Sequence, residues 1–140
     1  MKQRVLAQPQ VLQQRVERLH GVDRAQATDE VGQRVTIWGT ANPVPMFDPE
    51  YRPGDNLFTN TAIAFNMDDG SFKWYFQYTP NEQWDYDEIG SHQLYGVDGQ
   101  TRVQHFGRNG FNYVLDATDG TLINGGQYVA SVTWTAALDP

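Results

Sequence analysis

IAFNMDDGSFKW, residues 63–74, aligns without a gap with YVLDATDGTLIN, residues 113–124, at an offset of 50. Asn66 falls opposite Asp116, Asp69 opposite Asp119 and Gly70 opposite Gly120. Each copy joins two apolar-rich runs through an Asp-Gly turn, the pattern of a β-hairpin. A period of this length is the one expected of propeller blades, in which each repeat is a small antiparallel sheet.

The same texture extends outward from the repeat. VTIWG before it, TAIAFN and FKWYFQY within and after it, and YVASVTW near the end all read as short strands. QLYGVDGQTRVQHF predicts a further hairpin with Asp98-Gly99 at its tip, and NYVLDATDGTLI predicts one of the same form at Asp119-Gly120. Strands that recur every 8–12 residues with turn signals between them mark a sandwich, barrel or propeller. The bulk composition agrees: 4 Trp, 7 Tyr and 7 Phe accompany 13 Gly and 7 Pro, with 19% charged residues. The fold class expected is all-β.

Residues 1–34 are different in kind. They carry a net charge of +2, seven glutamines and no aromatic residue, whereas residues 35–140 carry −9. Val11, Leu12, Val16 and Leu19 form a thin apolar stripe, which predicts a helix over about residues 9–27 or a partly disordered leader. The expected division is therefore a leader over 1–35 and a β region over 36–140.

Several function classes drop out on simple grounds. The chain has no cysteine, so disulfides and thiolate metal sites are excluded. A net charge of −7 argues against a nucleic-acid partner. No run approaches the length of a membrane span, and the first thirty residues lack the apolar centre of a secretory signal. His20, His92 and His105 have no zinc-site spacing. Both Asp-Gly turns fail as EF-hand loops, because Phe65 and Leu115 stand where the first ligand belongs.

What remains is PNEQWDYDEI, residues 80–89. In an extended segment Asp85 and Asp87 point to the same side, and two carboxylates so placed repel unless a cation lies between them. A hard cation takes six to eight oxygens, so the pair supplies only part of a shell. Spacing alone favours a plainer reading, a solvated acidic loop to which Glu82 and Glu88 contribute. Asn42, ahead of Pro43 in a loop with four prolines over residues 40–56, offers an amide oxygen for a cation or a turn cap. Arg108 lies in a Gly-Arg-Asn-Gly stretch that reads equally as an ordinary surface turn.

Taken in order, GTANPVPMFDPEYRPGDNLFTN, WYFQYTPNEQWDYDEI, RNGFNYVLDATDGTL and VTWTAALDP resemble the quinoprotein alcohol dehydrogenases, which use pyrroloquinoline quinone (PQQ). The resemblance covers about residues 37–140. The repeat resembles that family's tryptophan-docking motif, A-x-D-x-x-x-G-x-x-x-W, with Asn66 for the aspartate in the first copy and Asn124 for the tryptophan in the second.

The resemblance implies two to three blades of an eight-bladed propeller. It also implies PQQ with Ca²⁺ or a lanthanide ion as cofactors. Asn42 matches a metal-ligating asparagine, Asp85 the catalytic aspartate and a metal ligand, Asp87 the additional ligand of the lanthanide-dependent branch, and Arg108 the arginine that binds the quinone oxygens. Ala41, Glu88 and Gly107 depart from the residues usual at their positions. The implied activity is oxidation of a small alcohol in the periplasm, with a cytochrome c as acceptor. At this length the expectation is a piece of such an enzyme, inactive alone. Two other readings stay open. One is a non-catalytic module that binds a cation or carbohydrate. The other is a remnant that self-associates through open sheet edges.

Overall fold

The computed structural model describes residues 24–28 and 34–138. Among the described residues eight strands follow one another: β1 (Arg24–Thr28), β2 (Arg34–Gly39), β3 (Thr61–Asn66), β4 (Phe72–Gln77), β5 (Gln93–Val97), β6 (Gln100–Phe106), β7 (Phe111–Asp116) and β8 (Leu122–Gln127). They form two antiparallel sheets of four strands each, in the orders β1-β2-β3-β4 and β5-β6-β7-β8. Every neighbour in a sheet is a neighbour in sequence, so no long crossover is needed. A single 3-10 turn, Pro49–Tyr51, interrupts the long β2–β3 loop.

The turns explain the registers. Asp98 and Gly99 both have positive φ, 52° and 74°, as the two-residue β5–β6 turn requires. The repeated turns at 66–71 and 116–121 are longer than this one and nearly superimposable in their bonding. In the first, Asn66 N donates to Ser71 O (2.8 Å) and Gly70 N to Asn66 O (2.9 Å). In the second, Asp116 N donates to Thr121 O and Gly120 N to Asp116 O, both at 2.9 Å. The Asn66 and Asp116 side chains accept from Asp68 N and Thr118 N, and Asp69 and Asp119 accept from Ser71 N and Thr121 N. An amide or a carboxylate oxygen serves equally as the acceptor, which accounts for Asn66 standing opposite Asp116. Even the register shifts recur at the offset of 50, between Ala64 and Phe65 and between Val114 and Leu115.

Trp74 of the first repeat locks the sheets together. It is 5% exposed, and its indole Nε1 donates to Ala117 O at 2.9 Å. The ring covers Gly120 so closely that a Cβ there would lie 2.6 Å from Trp74 Cε3. Around it gather Val35 and Ile37 of β2, Ala62 and Ala64 of β3, and Val103, Tyr113 and Leu115 of the second sheet.

Two expectations need correction. Arg24–Thr28 is a strand, not the end of a helix, and it pairs along its full length with β2, from Arg24↔Trp38 to Thr28↔Arg34. The thin apolar stripe gives a helix little to bury, whereas the edge of β2 offers a full row of backbone partners. The rest of the proposed helix, 9–23, lies outside the described residues. YVASVTW is likewise no strand. After β8 the chain turns back over the β6–β7 turn, where Tyr128 donates its hydroxyl to Gly107 O (2.8 Å) and Val129 and Val132 cover Gly110.

Beneath the connection from β4 to β5 lies a buried polar cluster. The His92 and His105 rings stack at 4.3 Å and 6°, and His92 Nε2 meets Tyr78 Oη at 2.9 Å. Burial, reinforced by the neighbouring His105, lowers His92 from its ordinary value to about 3. The folded protein therefore disfavours the proton that the unfolded chain takes up near pH 6.5. Stability from this group is complete above pH 6.5 and declines as the pH falls toward about 3. Urea titrations should show a loss of about 1 kcal/mol from pH 7 to pH 5.5, where the carboxylates remain largely ionised. His92→Gln should flatten that slope, and an equal slope in the variant would contradict the assignment.

Candidate functional site

Three connections converge at one end of the two sheets: the β2–β3 loop, the inter-sheet connection 78–92 and the short β6–β7 turn. Thr40 begins the first. Its backbone N donates to Thr61 O (3.0 Å), and its hydroxyl donates to Phe58 O (2.8 Å), so the loop returns to where it started. Arg52 clamps it to the second segment, donating to Pro45 O (2.7 Å), Met46 O (2.6 Å), Asn81 Oδ1 (3.1 Å) and the Glu82 carbonyl. Asn60 donates from N to Ala41 O (3.1 Å) and from Nδ2 to Tyr86 O (2.9 Å).

The connection itself is irregular. Asp85 has φ of +68°, so the extended geometry that would put Asp85 and Asp87 on one side is not adopted. A loop turned this way owes its shape to Glu82, whose Oε1 accepts from the Trp84 and Tyr86 backbone N–H groups. Glu82 and Glu88 are both fully buried, which overturns the solvated-acidic-loop reading for these two residues.

Asp87 is the meeting point. Its Oδ1 accepts from Asn42 N at 2.8 Å, and its Oδ2 faces Arg108 Nη1 at 3.8 Å. Asn42, Asp87 and Arg108 are therefore brought together from three different connections. Asp85 stands two residues away, half-buried, with no hydrogen bond or ion pair to its carboxylate among the described residues. Arg108 is 59% exposed, so most of its guanidinium donors face outward.

The turn that presents Arg108 is held by its neighbour. Asn109 Nδ2 donates to Thr79 Oγ1 (2.9 Å) and Tyr113 Oη (2.7 Å), and Phe111 N donates to Asn109 Oδ1 (3.2 Å). Trp134, from the final segment, donates its indole N–H to Asn109 O at 2.7 Å. Its ring lies 5.8 Å from that of Trp84, which stacks on Tyr86 at 5.9 Å. All four motif stretches thus supply atoms to one region.

A family description, PQQ glucose/ethanol/alcohol dehydrogenase β-propeller domain, matches residues 33–128. The chain belongs to this family of PQQ dehydrogenase propellers. Quinoprotein alcohol dehydrogenase PedH of Pseudomonas putida is 42% identical over 107 residues, which is 74% of this chain and 18% of PedH. The lanthanide-dependent methanol dehydrogenase of Methylorubrum extorquens is 38% identical over 106 residues, 73% of this chain and 18% of that enzyme. Quinohemoprotein alcohol dehydrogenase from Comamonas testosteroni, a solved structure, superposes with a TM-score of 0.69 at 30% identity, covering 82% of this chain and 18% of its own. The chain thus spans less than a fifth of these three proteins, and its two four-stranded sheets match part of the propeller.

The donors present suit a hard cation in type but not in number. Asn42 offers an amide oxygen, and Asp85 and Asp87 offer carboxylates, all ligands that Ca²⁺ and similar ions prefer. No group of three His, Cys, Asp or Glu side chains is gathered closely enough to hold a metal among the described residues. Sequence reading missed Arg52, Asn60 and Asn109, which bond across the loops to backbone and side-chain groups far away in sequence, and it misassigned Glu82 to solvent. Nothing in the spacing of the sequence announces such bonds.

Proposed function

We propose that this chain carries part of the cation and quinone site of a PQQ-dependent dehydrogenase that oxidises a primary alcohol to its aldehyde. The observation that supports this best is Asp87, whose two oxygens face Asn42 N at 2.8 Å and Arg108 Nη1 at 3.8 Å. Two residues named by motif alone, 45 and 21 positions away in sequence, meet at the carboxylate of a third.

Asn42, Asp85 and Asp87 would hold a Ca²⁺ or lanthanide ion, and the second carboxylate favours the ion of higher charge. A bound cation would supply Lewis-acid polarisation and PQQ would supply the two-electron acceptor for the alcohol's hydride equivalent. Asp85, whose carboxylate makes no bond within the described chain, would lend one oxygen to the cation and take the alcohol's hydroxyl proton with the other as general base. Arg108 turns its free donors toward the oxygen that gains charge. Trp84, Tyr86 and Trp134 cluster their rings beside the 85–87 segment and would offer apolar surface to the substrate or quinone. A cytochrome c as electron acceptor and a periplasmic setting belong to the same proposal. Among the described residues no helix is long and apolar enough to cross a membrane.

Three oxygen-bearing residues fall short of the six to eight donors a hard cation takes, so water or groups from elsewhere complete the shell. Dye-linked alcohol oxidation by the 140-residue chain, supplied with PQQ and either Ca²⁺ or La³⁺, should give no turnover. Robust turnover by this chain alone would overturn the part-site reading.

A further inference from the structure

Glu88 is fully buried and links the same three connections that carry Asn42, Asp87 and Arg108. Its backbone N donates to Thr40 O at 3.2 Å, two residues before Asn42. Its Oε2 accepts from Arg108 N at 3.3 Å and meets His105 Nε2 at 2.8 Å. His105 is also buried, and its Nδ1 faces the Ser91 carbonyl at 3.2 Å. A carbonyl only accepts, so Nδ1 carries a proton and a single shared proton joins Nε2 to Glu88. Two glycines admit the residue. A Cβ at Gly39 would fall 2.0 Å from Glu88 O, and one at Gly107 would fall 3.1 Å from Glu88 Oε1. The carboxylate thus shares the space a side chain at 107 would take with Asn109 Oδ1, which a Cβ there would meet at 2.6 Å, and it reaches from the connection to His105 of the second sheet.

We propose that Glu88 is a positioning residue that sets the distance between Asp87 and Arg108 and holds both against the Asn42 loop. The inference rests on the reading that these three residues form the site. A buried carboxylate that accepts a backbone N–H and shares a proton with a buried imidazole restrains both partners strongly, because neither has water to fall back on. Asp87 is the next residue along the chain, and Arg108 is the residue whose N–H is held. Moving Glu88 therefore moves both functional side chains at once.

The test is amide hydrogen exchange on the full 140-residue chain in buffer free of added metal, with Asn42 N–H reporting the position of Asp87. Glu88→Met keeps the volume and removes the acceptor. It should speed exchange at Asn42 and Arg108 at least tenfold while the strand amides of β3 and β7 keep wild-type rates. Glu88→Gln can still accept from Arg108 N but has no proton to share with His105, and exchange at Asn42 and Arg108 should fall between wild type and the Met variant. A purely structural role would accelerate all four groups together, and that result, or wild-type protection at Asn42 in the Met variant, overturns the proposal. If the Met variant does not fold, wild-type exchange at rising sub-denaturing urea decides: one shared opening for Asn42 and Arg108 supports the proposal, and two separate openings overturn it. Because no cation takes part, failure of the metal reading leaves these outcomes unchanged and is seen separately, as absent lanthanide binding by the wild-type chain.

Discussion

Replacing Trp74 with alanine should destabilise the chain by about 3–5 kcal/mol, the largest effect expected of any single substitution away from the site. The magnitude follows from three losses at one position. A nearly fully buried indole is removed from between the sheets, its hydrogen bond to Ala117 O disappears, and a cavity opens over Gly120. Domains are held by only about 5–15 kcal/mol in total, so the two sheets should no longer dock cooperatively. The second repeat cannot compensate, because Asn124 stands at the equivalent position and is exposed. Trp74→Phe, which keeps most of the ring but not the N–H, should lose roughly half as much. Urea denaturation followed by far-ultraviolet circular dichroism measures both. A loss below about 1 kcal/mol for Trp74→Ala would mean that the sheets are held by something other than the tryptophan lock.

The order of the strands was legible because its causes are local. Alternation and Asp-Gly turns placed β2, β3, β4 and the β5–β6 hairpin, and the repeat located two equivalent turns that share even their side-chain hydrogen bonds. YVASVTW misled for the converse reason. Its valines have the composition of a strand, but they are spent covering Gly110, a contact made across the fold. Residues 24–27 fall within the helix or partly disordered leader expected from the sequence, because a short apolar stripe carries no record of the strand edge that will accept it.

The site was legible through motif rather than through spacing. Spacing assumed an extended segment at Asp85 and Asp87, and the positive φ of Asp85 removes that assumption. Glu82 and Glu88 read as solvated charge, since acidic residues are rarely buried unless paired. Their partners are the loop's own N–H groups for Glu82 and, for Glu88, His105, a residue 17 positions away in the second sheet. Asp87 shows the same limit from the other side. The residues that meet there come from separate connections, so only the folded arrangement reveals which carboxylate of the pair is the hub.

The proposed site rests on Asn42, Asp85 and Asp87 presenting oxygen ligands to one hard cation. Terbium(III) tests it directly, because it takes oxygen ligands as Ca²⁺ and the lanthanides do and its emission is excited by a nearby tryptophan. Trp84 immediately precedes Asp85 and is the natural donor. Titration of the chain with Tb³⁺ under tryptophan excitation should give saturable emission. Asp87→Ala removes a carboxylate and the anchor of the Asn42 loop together, and it should weaken binding at least tenfold, about 1.4 kcal/mol or more. Asp68→Ala, which removes an exposed carboxylate paired with Arg34, should leave the titration unchanged. Absence of sensitised emission, or a titration that Asp87→Ala leaves as it was, would contradict the cation site on which the functional reading depends.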